Sequence, residues 1–183
     1  HYAYMKKPVT QVEIHNRLFA EKSVLYHTFA HIWDRMEAVE HGAYTMNATD
    51  LYIYMIAHLA KHFTKEGAGV RNVIDLYLYQ KAHKFNDEEQ AYINGVLSEI
   101  RLNTFAERVS ELGNAWFAEG DWNAELMTMA DYVISGGLYG KLGNQDALKV
   151  AQDQNRNKLK WLLKEAFPSV EEMNRKMHTQ SIK

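Results

Sequence analysis

The sequence predicts a mainly α-helical protein, a multi-helix bundle preceded by a short N-terminal β-hairpin. Two observations support this fold class. The 183 residues contain only two prolines, Pro8 and Pro168, so the long stretch between them has no proline to interrupt a helix. Beyond the first 22 residues the apolar positions recur with the helical period, whereas Val12 and Ile14 flank Glu13 in the alternation typical of a strand.

The composition excludes several classes of protein. Lysine and arginine total 21 against 23 acidic residues, and this balanced charge argues against an extended surface for duplex nucleic acid. No apolar run approaches the roughly 18 residues that a membrane span needs. The chain has no cysteine, which excludes disulfides and thiolate sites and leaves His, Asp and Glu as metal ligands. We expect a cytoplasmic protein that does not bind membranes.

The N-terminal hairpin is predicted to consist of residues 2–6 and 11–17, with Pro8 in the connection. Two strands by themselves are only marginally stable in water. We therefore expect the hairpin to complete a larger sheet or to lie on helices. The hairpin is assigned to residues 1–19 and a helical domain to residues 20–183.

Two helices are predicted before the stretch 66–69. The first begins at Ser23 and ends near His41 and Gly42, and its apolar face comprises Leu25, Phe29, Ile32 or Trp33, and Met36. The second is capped by Asn47 or Thr49. Its predicted apolar face comprises Leu51, Met55, Leu59 and Phe63.

A third helix is predicted to begin near Gly69. Residues 73–79 are apolar almost all round, which indicates a central and buried helix. Asp75 is the one charged residue in this segment. A buried carboxylate needs a cation nearby, and Arg71 or a basic residue of the preceding helix is the candidate.

The rest of the chain is predicted to be helical scaffold. Asn86 caps a helix that extends to about Leu102, and another runs from Thr104 to about Phe117. A further helix begins at Asn123 or Ala124 and ends at Ser135. Beyond it, we expect a glycine-rich connector over residues 136–144, a helix over 146–167, a break at Pro168 and a last helix.

The second helix carries a stripe of nitrogen-bearing side chains: His58, Lys61, His62 and Lys65. Their spacing places them on one face, and such a face suits phosphate. The alternative interpretation is an ordinary solvated polar face. A zinc site is a third and weaker interpretation, because a metalloprotease helix needs glutamate directly after the first histidine, where this chain has Leu59.

Arg71 and Asp75 lie one turn apart at the start of the third helix. An arginine beside the unpaired N–H groups of a helix start is typical of an anion site. The alternative is a simple pair that keeps a buried aspartate satisfied. If the two helices are antiparallel, Arg71 and the stripe lie at the same end of the bundle, and we expect His58, Lys61, His62 and Arg71 to form one phosphate site.

Glu13 is a single carboxylate on a strand. It can hold a divalent ion or act as a base only if two further carboxylates come from neighbouring strands. The glycine-rich stretch over residues 136–143 lacks the pattern of a phosphate-binding loop, so we interpret it as a connector.

Several segments resemble the uncharacterised bacterial nucleotidyltransferase family, whose core is similar to that of polymerase beta. The resemblance lies in Val12-Glu13-Ile14-His15, in residues 57–63 with His-x-x-Lys-His, and in residues 69–77 with Gly-x-Arg-x-x-x-Asp. Residues 139–144 and Phe167-Pro168-Ser169 resemble it as well. It covers nearly the whole chain in order.

The resemblance implies transfer of a nucleoside monophosphate from a nucleoside triphosphate to an unknown acceptor, with Mg²⁺ as cofactor. The hairpin then corresponds to the last strands of the catalytic sheet, and Glu13 to the third catalytic and metal-binding carboxylate. His58, Lys61, His62, Arg71 and Asp75 would bind the phosphates or the acceptor. The family's Asp-x-Asp strand has no counterpart in this sequence.

For this reason we expect the chain to be the C-terminal part of a longer enzyme and to be inactive by itself. A second hypothesis is a non-catalytic helical module that binds a nucleotide, an anionic ligand or a protein partner. A third, a helical ribonuclease-type domain, is disfavoured because Arg71 and His83 are too far apart along the chain.

Overall fold

A computed structural model describes residues 2–6, 10–65 and 67–138. The described chain is mainly helical, with six α-helices and a short N-terminal pair of strands, as predicted, and it contains a second short pair of strands that was not predicted. The contacts between residues divide the chain into two compact units, and the boundary lies between Met46 and Asn47. The domain boundary predicted between residues 19 and 20 stays a prediction.

The predicted N-terminal hairpin is present in the first unit. Strand β1 (Tyr2–Lys6) pairs antiparallel with β2 (Thr10–Ile14), and Tyr4 lies opposite Val12 in the register. The second strand ends at Ile14, three residues earlier than predicted. Tyr4, Val12 and Ile14 are exposed.

The prediction of one long helix from Ser23 to residue 41 is wrong. Helix α1 (Val24–Phe29) has its N-cap at Ser23, as expected, but it is followed by two short 3₁₀ turns, Ile32–Arg35 and Glu40–Gly42. Between and after these turns, β3 (Glu37–Ala38) pairs with β4 (Tyr44–Thr45). Two of the predicted apolar positions, Phe29 and Ile32, are buried, and Trp33 is exposed. A helix with so little apolar surface to bury is not held together by packing.

The described helices of the second unit begin and end close to the predicted positions. They are α2 (Ala48–Lys65), α3 (Val70–Ala82), α4 (Asp87–Glu99), α5 (Asn103–Phe117) and α6 (Ala124–Ser135). Asn47, Asn86 and Asn123 each accept a hydrogen bond from the backbone N–H three residues later. This is the usual chemistry of an asparagine N-cap. Helix α3 packs on α5 and α2, α2 packs on α4, and α5 packs on α4 and α6.

Helix α4 ends three residues before the predicted position. Arg101 has φ 59°, its N–H donates to the Ser98 carbonyl, and the N–H of Leu102 donates to the Leu97 carbonyl. Leu97 and Leu102 are both buried. The two hydrogen bonds form a Schellman motif, in which the left-handed position is normally glycine.

The buried face of α2 differs from the predicted one. Leu59 and Phe63 are buried as expected, whereas Leu51 and Met55 are only half-buried. The centre of the buried face is formed instead by Ile53, Ile56, Ala57 and Ala60. The helix is therefore rotated about its axis relative to the prediction, and Leu51 and Met55 lie toward its half-buried side.

Helix α3 is not buried all round. Val73 and Leu76 are buried, but Leu78 is 56% exposed, so the prediction of a central buried helix is wrong. One face of α3 packs closely on α5. A Cβ atom added at Gly113 of α5 would lie only 3.2 Å from the Cβ of Tyr77 on α3. The absence of a side chain at Gly113 allows this approach.

The predicted connector is described only at its start, where residues 136–138 form a turn. The remainder of the connector and the two predicted C-terminal helices lie outside the described residues. Among the described helices, none is long and apolar enough to cross a membrane.

Candidate functional site

Helices α2 and α3 run antiparallel, as the site prediction requires. The Tyr79 hydroxyl donates to the Ala48 carbonyl at 3.0 Å, and the Gln80 amide donates to the Tyr52 hydroxyl at 2.9 Å. The start of α2 therefore lies beside the end of α3. It follows that the end of α2, with Lys61 and His62, is at the same end of the helix pair as Arg71.

His58 and His62 form a close pair on α2. Their Nε2 atoms are 3.0 Å apart, and their rings meet edge to face with centroids separated by 4.4 Å. The ring of Tyr54, one turn earlier, lies 5.5 Å from that of His58. Burial raises the pKa of the Tyr54 phenol above its ordinary value.

The face that carries the histidines is half-buried rather than fully solvated. His58, Lys61 and His62 share this intermediate burial with Tyr54 and Met55. The side chain of Lys65, the fourth member of the predicted stripe, lies outside the described residues. The observed burial argues against a bare solvated face.

Arg71 and Asp75 form the predicted pair, but the pair is not buried. The Arg71 Nε atom lies 3.5 Å from a carboxylate oxygen of Asp75, and the two side chains are 56% and 49% exposed. The prediction that Asp75 is buried is therefore wrong. The apolar residues around Asp75 led to the prediction that α3 is buried on all sides, whereas only one face of that helix packs against its neighbours. An exposed pair of this kind contributes little to stability.

The N–H groups at the start of α3 are not free, contrary to the prediction. The Val70 N–H donates to the Gly137 carbonyl at 2.9 Å, and the Arg71 N–H donates to the Leu138 carbonyl at 3.1 Å. The Asn72 N–H donates to Gly69. The turn that follows α6 thus occupies the helix start, and any anion at this end must be bound by side chains.

The glycines between α2 and α3 serve the helix ends. Gly67 has φ 85°, and its N–H donates to the His62 carbonyl, which closes the end of α2. The Gly69 N–H donates to the side chain of Asn72 at 3.1 Å. Both glycines are buried.

Glu13 lies in β2 opposite Ala3 of β1. Its side chain is outside the described part of the structure, and it is the only carboxylate in the two strands. Among the described residues no three His, Asp or Glu side chains come together as a metal site.

Among the described residues of the second unit, the buried carboxylate is that of Asp50, a position that the sequence pattern did not single out. Asp50 is 2% exposed, and its carboxylate accepts hydrogen bonds from the Tyr92 hydroxyl at 2.9 Å and the Asn47 amide at 3.0 Å. The spacing of Asn47 and Asp50, at the N-cap and three residues later, is a local signal that indicates this position. The contact with Tyr92 of α4 has no local signal.

Comparison with known proteins identifies one family. The family model described as uncharacterised nucleotidyltransferase matches residues 1–118, which is 118 of 183 residues. That range includes Glu13 and the whole of α2 and α3. No curated protein and no solved structure matched the chain. Because the match extends over more than half of the sequence, the chain belongs to the uncharacterised nucleotidyltransferase family.

Proposed function

We propose that this chain is the C-terminal part of a cytoplasmic enzyme that transfers a nucleoside monophosphate from a nucleoside triphosphate to an acceptor hydroxyl or phosphate. The observation that supports this proposal most directly is the family match over residues 1–118. The match contains both the strand with Glu13 and the antiparallel helices with the histidines, Lys61 and Arg71.

The cationic end of the α2–α3 pair is the proposed phosphate-binding surface. Lys61 supplies a positive charge beside the histidine pair, and Arg71 supplies a planar guanidinium at the same end of the pair. The exposed ion pair with Asp75 is weak, so Arg71 can exchange it for a bidentate contact with a phosphate. In the free protein Asp75 would hold the guanidinium near this position.

Glu13 is the proposed catalytic carboxylate, which would accept the proton of the attacking hydroxyl or bind the metal. Magnesium, brought by the nucleoside triphosphate, would neutralise phosphate charge when bound. A single strand carboxylate does not suffice to hold it. The proposal therefore assigns the other carboxylates to residues outside this sequence, in agreement with its lack of an Asp-x-Asp strand.

The test is transfer of label from α-labelled nucleoside triphosphates, with Mg²⁺, by the 183-residue chain and by the complete product of its gene. We expect transfer by the complete product, loss of that transfer in Glu13→Gln, and none by the 183-residue chain. Transfer by this chain itself that survives Glu13→Gln would contradict the proposed role of Glu13.

Phosphate binding has a matched control within the chain. Arg17 and Glu21 form an exposed ion pair with the same spacing as Arg71 and Asp75. Arg71→Ala should weaken triphosphate binding at least about tenfold, because it removes a charge-assisted contact, whereas Arg17→Ala should leave it unchanged. Equal effects of the two substitutions would contradict the site.

The same measurements distinguish the second hypothesis. Triphosphate or phosphate binding that depends on Arg71, without transfer by the complete gene product, would support a non-catalytic binding module. Absence of both binding and transfer would contradict the proposed function and its ligand.

A further inference from the structure

We propose that His58 and His62 form a binding site for a divalent transition-metal ion, of which Zn²⁺ is the probe we would use. This inference does not depend on the proposed nucleotidyl transfer. It concerns a different metal and different ligands from those of a magnesium centre. The observation that carries it is the convergence of two imidazole nitrogens on one point.

The distance between the two Nε2 atoms matches that of adjacent ligands on one metal ion. Zinc is bound by histidine nitrogen at about 2.0–2.1 Å. Two such bonds to nitrogens 3.0 Å apart enclose an angle of about 94° at the metal. This angle lies near the cis angle between ligands of octahedral and square-planar metal ions. It is smaller than the tetrahedral angle that Zn²⁺ prefers, and a small outward rotation of either ring would widen it to fit Zn²⁺.

The pair is held in place before any metal binds. Both histidines lie on α2, one turn apart, within a helix whose opposite face is in the core. The Tyr54 ring, one turn before His58 on α2, packs against the His58 ring. The His62 ring, one turn after His58, meets the His58 ring edge to face. Because both rings are half-buried, fewer rotamers are open to them than to exposed histidines, and binding costs less side-chain entropy.

The donor chemistry selects a transition metal over magnesium. Imidazole nitrogen suits zinc, nickel and copper, whereas magnesium prefers oxygen. Water or an anion such as phosphate would fill the coordination positions that protein side chains leave open. Without metal, one ring donates its Nε2–H to the other. Metal binding moves that proton to Nδ1, so that both Nε2 atoms present a lone pair.

The chain contains a matched control pair. His27 and His31 have the same spacing in the sequence, but α1 ends at Phe29, so His31 lies beyond the helix. Both are exposed, and the Nδ1 atom of His31 lies 3.6 Å from a carboxylate oxygen of Asp34. Sequence spacing is therefore equal in the two pairs, and only the pair on α2 has the convergent geometry.

The experiment is a calorimetric titration of the 183-residue chain with Zn²⁺ in a buffer that does not chelate metal and contains no nucleotide. We expect His58→Gln and His62→Gln each to weaken Zn²⁺ binding at least about tenfold, since even the loss of an outer partner of a metal ligand costs that much. The double substitution of His27 and His31 by glutamine should leave this binding unchanged. Circular dichroism without metal establishes that each variant is folded.

A second measurement uses the unchanged protein, so that the inference stays testable if a variant does not fold. Nitrogen-15 NMR of the histidine rings should show Zn²⁺ shifting the Nε2 signals of both His58 and His62. Zn²⁺ binding that survives both single substitutions, or Nε2 signals that do not shift, would overturn the inference.

Lys61 distinguishes a metal site from a simple anion site on the same helix. Its ammonium group repels a bound cation and attracts a bound anion. Lys61→Met should therefore strengthen Zn²⁺ binding and weaken the binding of inorganic phosphate in the absence of metal. Weaker Zn²⁺ binding in this variant would contradict the inference. Since no nucleotide is present, this result is independent of whether the protein transfers nucleotides.

Discussion

The two compact units of this protein differ in how faithfully the sequence pattern becomes structure. In the unit that begins at Asn47, five helices form close to their predicted positions. In the unit that ends at Met46, the predicted helix from Ser23 stops at Phe29 and gives way to 3₁₀ turns and a two-residue strand pair. Both regions have the helical spacing of apolar residues.

The difference lies in what each apolar face has to pack against. In the described part of the first unit, the buried apolar residues are Phe19, Phe29 and Ile32. In the second unit, α2 packs on α3 and α4, and α5 packs on three helices. Helices of ordinary length draw most of their stability from such packing rather than from local preference. A periodic pattern therefore predicts a helix reliably only where partner helices exist.

The largest expected effect compares two isoleucines, one in each unit. Ile56 is 1% and Ile32 is 3% exposed, so they match in type and burial. Ile56→Ala should lower the free energy of unfolding by about 2–5 kcal/mol, because a cavity among packed helices does not collapse. Ile32→Ala should cost about 2 kcal/mol or less, since its few buried neighbours can move inward. Equal costs in urea unfolding followed by circular dichroism would contradict the comparison.

The second prediction concerns two aspartates of the helical unit. Asp50→Ala leaves the Tyr92 hydroxyl and the Asn47 amide without their acceptor and should cost about 1.5–3 kcal/mol. Asp75→Ala removes only an exposed ion pair and should change stability by less than about 0.5 kcal/mol. Urea unfolding of the two variants measures this difference. A larger loss of unfolding free energy for Asp75→Ala would instead support the sequence-based prediction that Asp75 is buried.

A third prediction concerns Tyr132, whose buried hydroxyl donates to the Phe63 carbonyl across the second unit. Tyr132→Phe should cost about 1–2 kcal/mol. Burial raises the pKa of this phenol, so the unfolded state loses the proton first. Stability is therefore full below about pH 10 and falls as pH rises above it. The decline should be shallower in Tyr132→Phe when unfolding is measured from pH 8 to pH 11.

The exposed Tyr4 provides the control for that measurement. Tyr4→Phe removes a hydroxyl from a side chain in the hairpin and should not alter the free energy of unfolding of the helical unit. A loss as large as that of Tyr132→Phe would show that the effect does not come from the buried hydrogen bond.

The smallest expected effect is a gain in stability. Arg101 and His41 both have positive φ, 59° and 62°, one in each unit. Arg101→Gly should stabilise the helical unit by up to about 1 kcal/mol, because glycine adopts the left-handed conformation without strain. Hydrogen exchange in α4 and α5 should slow accordingly. His41→Gly should leave exchange in these two helices unchanged, and a similar slowing there would show that the effect of Arg101→Gly does not come from relief of strain at the end of α4.

The sequence by itself determined the fold class, the hairpin and most helix ends. These features depend on local chemistry: Asn86 and Asn123 cap the helices that follow them, and Gly67 closes α2. The shared face of His58 and His62 also follows from helical spacing. The antiparallel direction of α2 and α3, which the predicted site required, agrees with the short connection between them.

The tertiary structure alone decided which faces are buried and which polar groups meet. The rotation of α2, the burial of Asp50 and the exposure of Asp75 depend on the positions of α4 and α5. The carbonyls of Gly137 and Leu138 occupy the start of α3 from more than sixty residues further along the chain. Such contacts join residues distant in sequence, and no local pattern encodes them, because their energy comes from burial and hydrogen bonding between elements that meet only on folding.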